Sequence, residues 1–166
     1  MSEPEEFEPK LHELCAQAGV ALVLVRAIPR AHVSGVSRWL GTHKPLLQIS
    51  LYGKTNDRFW FTFFHEAAHI LMHDKNEVFL DEFTGDVLQS RQEEEANAFA
   101  ASFLIPEEFE EELPGLKSKQ AVTDFARRLG IHPGIVVGRL QHDQHIPVTW
   151  MNELKTSFRW REEEER

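Results

Sequence analysis

Apolar and polar positions divide the chain into a β-rich first third and a helical remainder. Leu11, Leu14, Cys15 and Ala18 recur at helical spacing, and Gly19 ends the run. Val20-Ala21-Leu22-Val23-Leu24-Val25 is a continuous, β-branched apolar stretch, the pattern of a buried strand. His32 to Leu40 alternates loosely around Val33, Val36 and Trp39. Leu46 to Tyr52 alternates more regularly, and Gly41 and Gly53 mark turns. The pattern predicts three short strands in a small, mostly antiparallel sheet.

Residues 56–72 change the picture. Phe59, Trp60, Phe61, Phe63, Phe64, Ala67, Ala68, Ile70 and Leu71 cover nearly every face of one helix, so it should be central and buried. Asn56 or Asp57 can cap its start. Residues 74–91 mix Asp, Asn and Gly with Val78-Phe79-Leu80 and suggest a loop or hairpin. From Gln92 a strong helix follows, with Ala96, Phe99, Ala100, Phe103 and Leu104 as its core face, stopped by Pro106. A short acidic helix around 107–113 ends at Pro114-Gly115. Ser118 caps a helix to Leu129, Gly130 ends it, and His132-Pro133 starts another through about His142. The class is α+β: a three-stranded sheet packed on a helical core, with a C-terminal helical hairpin at 118–143. One domain is expected over 10–150, after a flexible acidic segment (1–9) and before a charged tail (151–166).

Composition narrows the function classes. The 166 residues suffice for a sizeable core, and 42% are hydrophobic, as in folded proteins. A net charge of -9 argues against a chain held to DNA by phosphate neutralisation. The single cysteine, Cys15, excludes an intrachain disulfide and a CxxC zinc knuckle, and its helical setting makes it a core residue. The acidic Met1–Glu6 stretch does not resemble a secretory signal, and no run of about 18 apolar residues exists. The expectation is a cytoplasmic protein without membrane association.

The buried helix carries His65-Glu66-Ala67-Ala68-His69. Residues four apart lie one turn above each other, so the two imidazoles can grip one Zn²⁺ ion. Glu66 is placed to act as general base on water. Burying these three side chains unsatisfied would cost several kcal/mol, on the order set for unpaired polar groups, and a metal removes that cost. A third ligand is required. His73 shares the face but lies eight residues from His65, about 12 Å along a straight helix. It fits a capping or supporting role better. Glu93 extends the core face of the next helix through Ala96 and Ala100 and is the favoured third ligand. Glu95 is the next candidate, and Glu94 points toward solvent. Tyr52, the sole tyrosine, and His73 are candidates for stabilising a transition state.

These motifs, in order, resemble the ImmA/IrrE family of zinc metallopeptidases, the DUF955-type domain. His65-Glu66-Ala67-Ala68-His69 is similar to the family's HExxH, and Glu93-Glu94-Glu95-Ala96-Asn97 to its second helical motif. The resemblance spans roughly residues 11–145. It implies a zincin-like, gluzincin-type core in which the leading Glu93 is the third ligand. It also implies a selective endopeptidase acting on a regulatory protein, typically an Xre-type transcriptional repressor, in stress, phage or toxin–antitoxin responses. Many relatives carry an Xre-type domain ahead of the peptidase part, and no room for one exists before Leu11. The alternative is a non-catalytic zinc-bound sensor or antitoxin-type interaction module. Intact Glu66 favours the enzyme, because a structural site needs no base. Substrate is expected to add as a strand on the edge of 46–52. The 118–143 hairpin has helix-turn-helix spacing, but its second helix, Ile135-Val136-Val137, lacks groups that reach base edges. It is expected to pack on the peptidase rather than bind DNA.

Overall fold

The computed structural model describes residues 4–26, 33–50, 55–73, 79–80 and 87–158. Its helices are α1 (Pro4–Gln17), α2 (Asn56–Met72), α3 (Val87–Leu104), α4 (Lys119–Leu129) and α5 (Pro133–His142). Its strands are β1 (Ala21–Val25), β2 (Gly35–Trp39), β3 (Pro45–Ser50) and β4 (Phe79–Leu80). A 3₁₀ segment, Glu107–Gly115, links α3 to α4.

The sheet differs from the expected one. Its order is β1-β3-β2-β4. β2 and β3 pair antiparallel, with Val36 opposite Gln48, and β4 joins β2 antiparallel. β1 runs parallel to β3, with Leu22 opposite Leu47. The sheet is therefore mixed, and β4 adds a fourth strand. Alternation along a strand predicts its faces but not its neighbours. β3 buries Leu46, Leu47 and Ile49, and such a strand takes the centre of a sheet. With partners on both sides, β3 has no edge to offer a peptide, so strand addition is excluded along its described residues, while 51–52 lie outside them.

Described residues of both segments expected to lie outside the domain pack against it. α1 begins at Pro4, within the segment expected to be flexible. Proline suits the first helical position, where no N–H is needed. Phe7 holds this end, with its ring 5.3 Å from Phe59, 5.4 Å from Trp60 and 5.0 Å from Phe158. In the expected tail, residues 151–158 pack: Met151 and Phe158 are buried. Thr55 and Ser157 form a β-bridge. The expected loop at 74–91 contains β4 and the start of α3; the rest of it, like 159–166, lies outside the described residues.

Two apolar clusters form the interior. One joins α1, the sheet and α2 through Leu11, Leu22, Leu47, Ile49, Phe59 and Phe63. The other gathers Ile105, Leu113, Phe125, Val136, Val137 and Leu140 around the α4–α5 hairpin. α2 touches both halves, packing on α3, α5, β2 and β3. Its first turn is clamped by the C-terminal strap. Asn56 N–H donates to Thr156 O at 2.8 Å, and Asn56 Oδ1 accepts from Thr156 N–H at 3.2 Å. Lys155 Nζ lies 2.7 Å from Asp57 Oδ2 and 2.8 Å from Gln141 Oε1. The N-cap is Thr55, so Asn56 and Asp57 serve as anchors rather than caps. A Cβ on Gly138 would fall 2.5 Å from Asp57 Oδ2, so α5 approaches this turn by its backbone.

Among the described residues, no helix is long and apolar enough to cross a membrane.

Lys155→Met strands the Asp57 carboxylate, whose side chain is 10% exposed in a pair with a Lys155 side chain 12% exposed. The expected loss is about 3 kcal/mol, as for other broken buried pairs, read as a lower urea midpoint. Adding Asp57→Asn should recover part of it. An unchanged midpoint for Lys155→Met would show that the clamp contributes nothing.

Candidate metal centre

His65 and His69 stand one turn apart on α2, and both are buried. Their Nε2 atoms are 3.1 Å apart. Glu93 reaches across from α3. Its Oε2 lies 3.1 Å from His65 Nε2, and its Oε1 lies 3.3 Å from His69 Nε2. The three residues offer donor atoms within 4.8 Å of one another. Ala68, Ala96 and Ala100 are fully buried where the two helices pack, so small side chains allow the approach.

The opposite ring nitrogens define what these donors offer. His65 Nδ1 lies 3.0 Å from Asn97 Oδ1. An amide oxygen accepts, so Nδ1 carries the proton and Nε2 keeps a lone pair. His69 Nδ1 lies 2.9 Å from His73 Nδ1. Burial pushes the His69 imidazole below its ordinary pKa. Burial also works to raise the Glu93 carboxyl, but the facing His65 and His69 imidazoles outweigh it and hold it below the usual carboxylate range. Imidazole lone pairs and an ionised carboxylate thus converge on one point. That arrangement calls for a cation. Donors held about 2.0–2.1 Å from a tetrahedral ion stand about 3.3–3.4 Å apart, and the spacings here agree. The donor set fits a metal ion.

Glu66 lies outside this set. It is 1% exposed and faces β2. A Cβ built on Gly35 would fall 2.5 Å from Glu66 Oε1 and 2.6 Å from its Cγ. Only glycine lets the strand lie so close. A cavity of about 60 Å³ beside His65 is lined by Phe61, Thr62, His65 and Asn97.

The structure brings His65, His69 and Glu93 together, while Glu66, next to His65 in sequence, is buried against Gly35 of β2. Glu94 is exposed. Glu95 pairs with Arg91 at 3.0 Å and with His73 at 3.3 Å, away from the donor cluster. His73 is the C-cap of α2, and both its ring nitrogens are engaged. Tyr52 lies outside the described residues. Two contributors escaped the sequence reading. Asn97 follows Glu93 by four residues, a spacing that puts both on one helix face and could have revealed it. Gly35 gave no signal, because its role arises from packing between distant segments.

No curated protein matches the chain. The family model for Peptidase_M78, the IrrE N-terminal-like domain, matches residues 21–141. That span takes in the sheet, both helices of the metal centre and nearly all of the α4–α5 hairpin, and the chain belongs to this peptidase family.

Proposed function

We propose that the protein is a zinc-dependent endopeptidase, with His65, His69 and Glu93 as ligands and Glu66 as general base. The observation that carries this reading is the convergence of three donors on one point, with Glu66 buried on the same helix directly after His65. Two histidines and one carboxylate are a catalytic zinc set, which leaves a fourth position for chemistry. When bound there, zinc supplies Lewis acidity, making water more acidic and polarising a carbonyl. The protein's own part is proton handling. Glu66 takes a proton from the attacking water as its oxygen bonds to the scissile carbonyl carbon. It then delivers that proton to the amide nitrogen as the C–N bond breaks. Asn97 orients His65 through its Nδ1.

The family supports a protein substrate. The resemblance of the two motifs to ImmA/IrrE peptidases favours narrow specificity for a cytoplasmic regulator of the Xre-type repressor class. The α4–α5 hairpin supports packing rather than DNA reading. Ile135, Val136, Val137 and Leu140 of α5 are buried in the core. Most of the basic residues of the region are neutralised locally: Arg127 by Asp124, Arg128 by Glu112, Arg139 by Glu110 and Asp143, and Lys119 by Glu153, while Lys117 donates to His145 O.

Metal analysis should find one zinc per chain, falling toward zero in His69→Ala and Glu93→Ala. Incubation with Xre-type repressors should give defined fragments. Glu66→Gln should keep zinc and lower kcat about 10²- to 10⁴-fold, the usual span for a general acid–base group. Equal behaviour of wild type and Glu66→Gln with zinc bound would replace the enzyme with a binding module. Gly35→Ala should also keep zinc while slowing cleavage, because the new methyl displaces Glu66. A normal rate in that variant would show that the position of Glu66 tolerates the shift.

A further inference from the structure

We propose that the cavity beside His65 is a substrate subsite that takes a small side chain, of alanine or serine size, from a residue flanking the scissile bond, with Phe61 setting the size limit. The proposal rests on the zinc-peptidase reading above and adds to it a class of substrate sequence. Phe61 and Thr62 line the cavity from α2, one turn before His65 and Glu66, and Asn97 lines it from α3. Residues one turn apart share a helix face. Phe61 therefore stands in the row of His65 and His69, and Thr62 in the row of Glu66. The Phe61 and His65 rings are 6.2 Å apart. A Cβ on Gly35 would fall 2.8 Å from Thr62 Cγ2 and 2.5 Å from Glu66 Oε1, so Thr62 and Glu66 press on the same spot of β2. The cavity thus touches the row of the donors and the row of the proposed base. A side chain seated in it belongs to a residue close to the bond being cut.

The space between α2 and α3 is not symmetric about the donors. On the side toward the C-terminus of α2, His73 and Glu95 stand between the helices. The His73 side chain is 3% exposed and lies 2.9 Å from His69 and 3.3 Å from Glu95. On the side toward the N-terminus of α2 the cavity opens instead, and exposed Asn97 stands at its mouth. A peptide reaching the donors from that side meets Phe61, Thr62 and Asn97. The cavity volume is about 60 Å³. That is room for about two water-sized groups at ~30 Å³ each. The methyl of alanine or the hydroxymethyl of serine fits, and the branched side chain of leucine fits only if the Phe61 ring gives way. The walls agree with that choice. They set an aromatic ring beside a threonine and an asparagine, and ligand pockets commonly join apolar surface to a few polar groups in this way.

The test uses zinc-loaded protein and two series of peptide hydroxamates, which bind zinc without being cleaved. One series carries the varied side chain on the acyl side of the metal-binding group, the other on the amine side. Affinity is measured by calorimetry. In one series the alanine and serine compounds should bind about 10- to 200-fold more tightly than the leucine compound, the range that a methylene commands in a closed pocket. Phe61→Ala should abolish that preference by admitting leucine. Phe61→Leu, a milder change, should narrow it, and carries the test if Phe61→Ala fails to fold. The ratio of affinities is the readout, because a general loosening of α2 would weaken every compound alike. The subsite is overturned if the unaltered chain binds zinc and hydroxamates with no preference for small side chains in either series. It is also overturned if the preference exists and the folded Phe61 variants leave it unchanged. In both cases the peptidase reading stands. If the unaltered chain takes up no zinc, or holds zinc and binds no hydroxamate, the peptidase reading fails and the subsite falls with it.

Discussion

Imidazole lone pairs and a carboxylate aimed at one point repel each other until a cation stands between them. The packing of α2 against α3 depends on managing that repulsion. Glu93 is about a quarter exposed at its side chain and has a route to solvent, yet it faces both histidines. The imidazoles cannot turn aside either. His65 is tied through Nδ1 to Asn97, and His69 through Nδ1 to His73. Buried alanines bring the helices close enough for these contacts, and longer side chains there would separate the donors. A set of groups held together against their mutual repulsion is difficult to explain as core packing alone.

The restraint extends along the whole of α2. At its first turn, the strap around Lys155 and Thr156 fastens Asn56 and Asp57, with α5 close against them. At its last turn, His73 is held between His69 and Glu95. The phenylalanines between these ends lock the helix to α1 and the sheet. A catalytic constellation tolerates displacements of only about half an ångström. Clamping both ends of the helix that carries His65, Glu66 and His69 serves that requirement for the proposed site. The charged strap, although remote from the histidines, belongs to the same mechanical problem.

The site was legible where it is local and obscure where it is tertiary. His65, Glu66 and His69 share a single turn, so spacing alone displayed them. Glu93 followed from the phase of Ala96 and Ala100 on its own helix. Gly35 was hidden, because nothing near it in sequence records that Glu66 would lie against it. The same division holds for the fold. The α4–α5 hairpin was readable from Ser118, Gly130 and Pro133, which act within a residue or two of themselves. Sheet order was not, because alternation in β1 and β3 fixes which side chains face inward and leaves the partner open. Asn56 and Asp57 misled for a related reason. Their local chemistry suits a cap, but the strap one hundred residues later uses them first.

The position of α2 between α3 and the sheet also explains how two neighbouring glutamates take different roles. Successive residues of a helix are turned by about 100°, so His65 and Glu66 cannot face the same neighbour. His65 and His69 face α3, which answers with Glu93. Glu66 faces β2, which answers with a glycine and therefore with space. The carboxylate that completes the donor set must accordingly come from the partner helix, and the proposed base from the histidine helix. Exchanging the roles would require α2 to rotate, and the clamps at both of its ends oppose that rotation. The separation of Glu93 in the donor set from Glu66 is thus a consequence of helix geometry combined with which element lies on each side of α2.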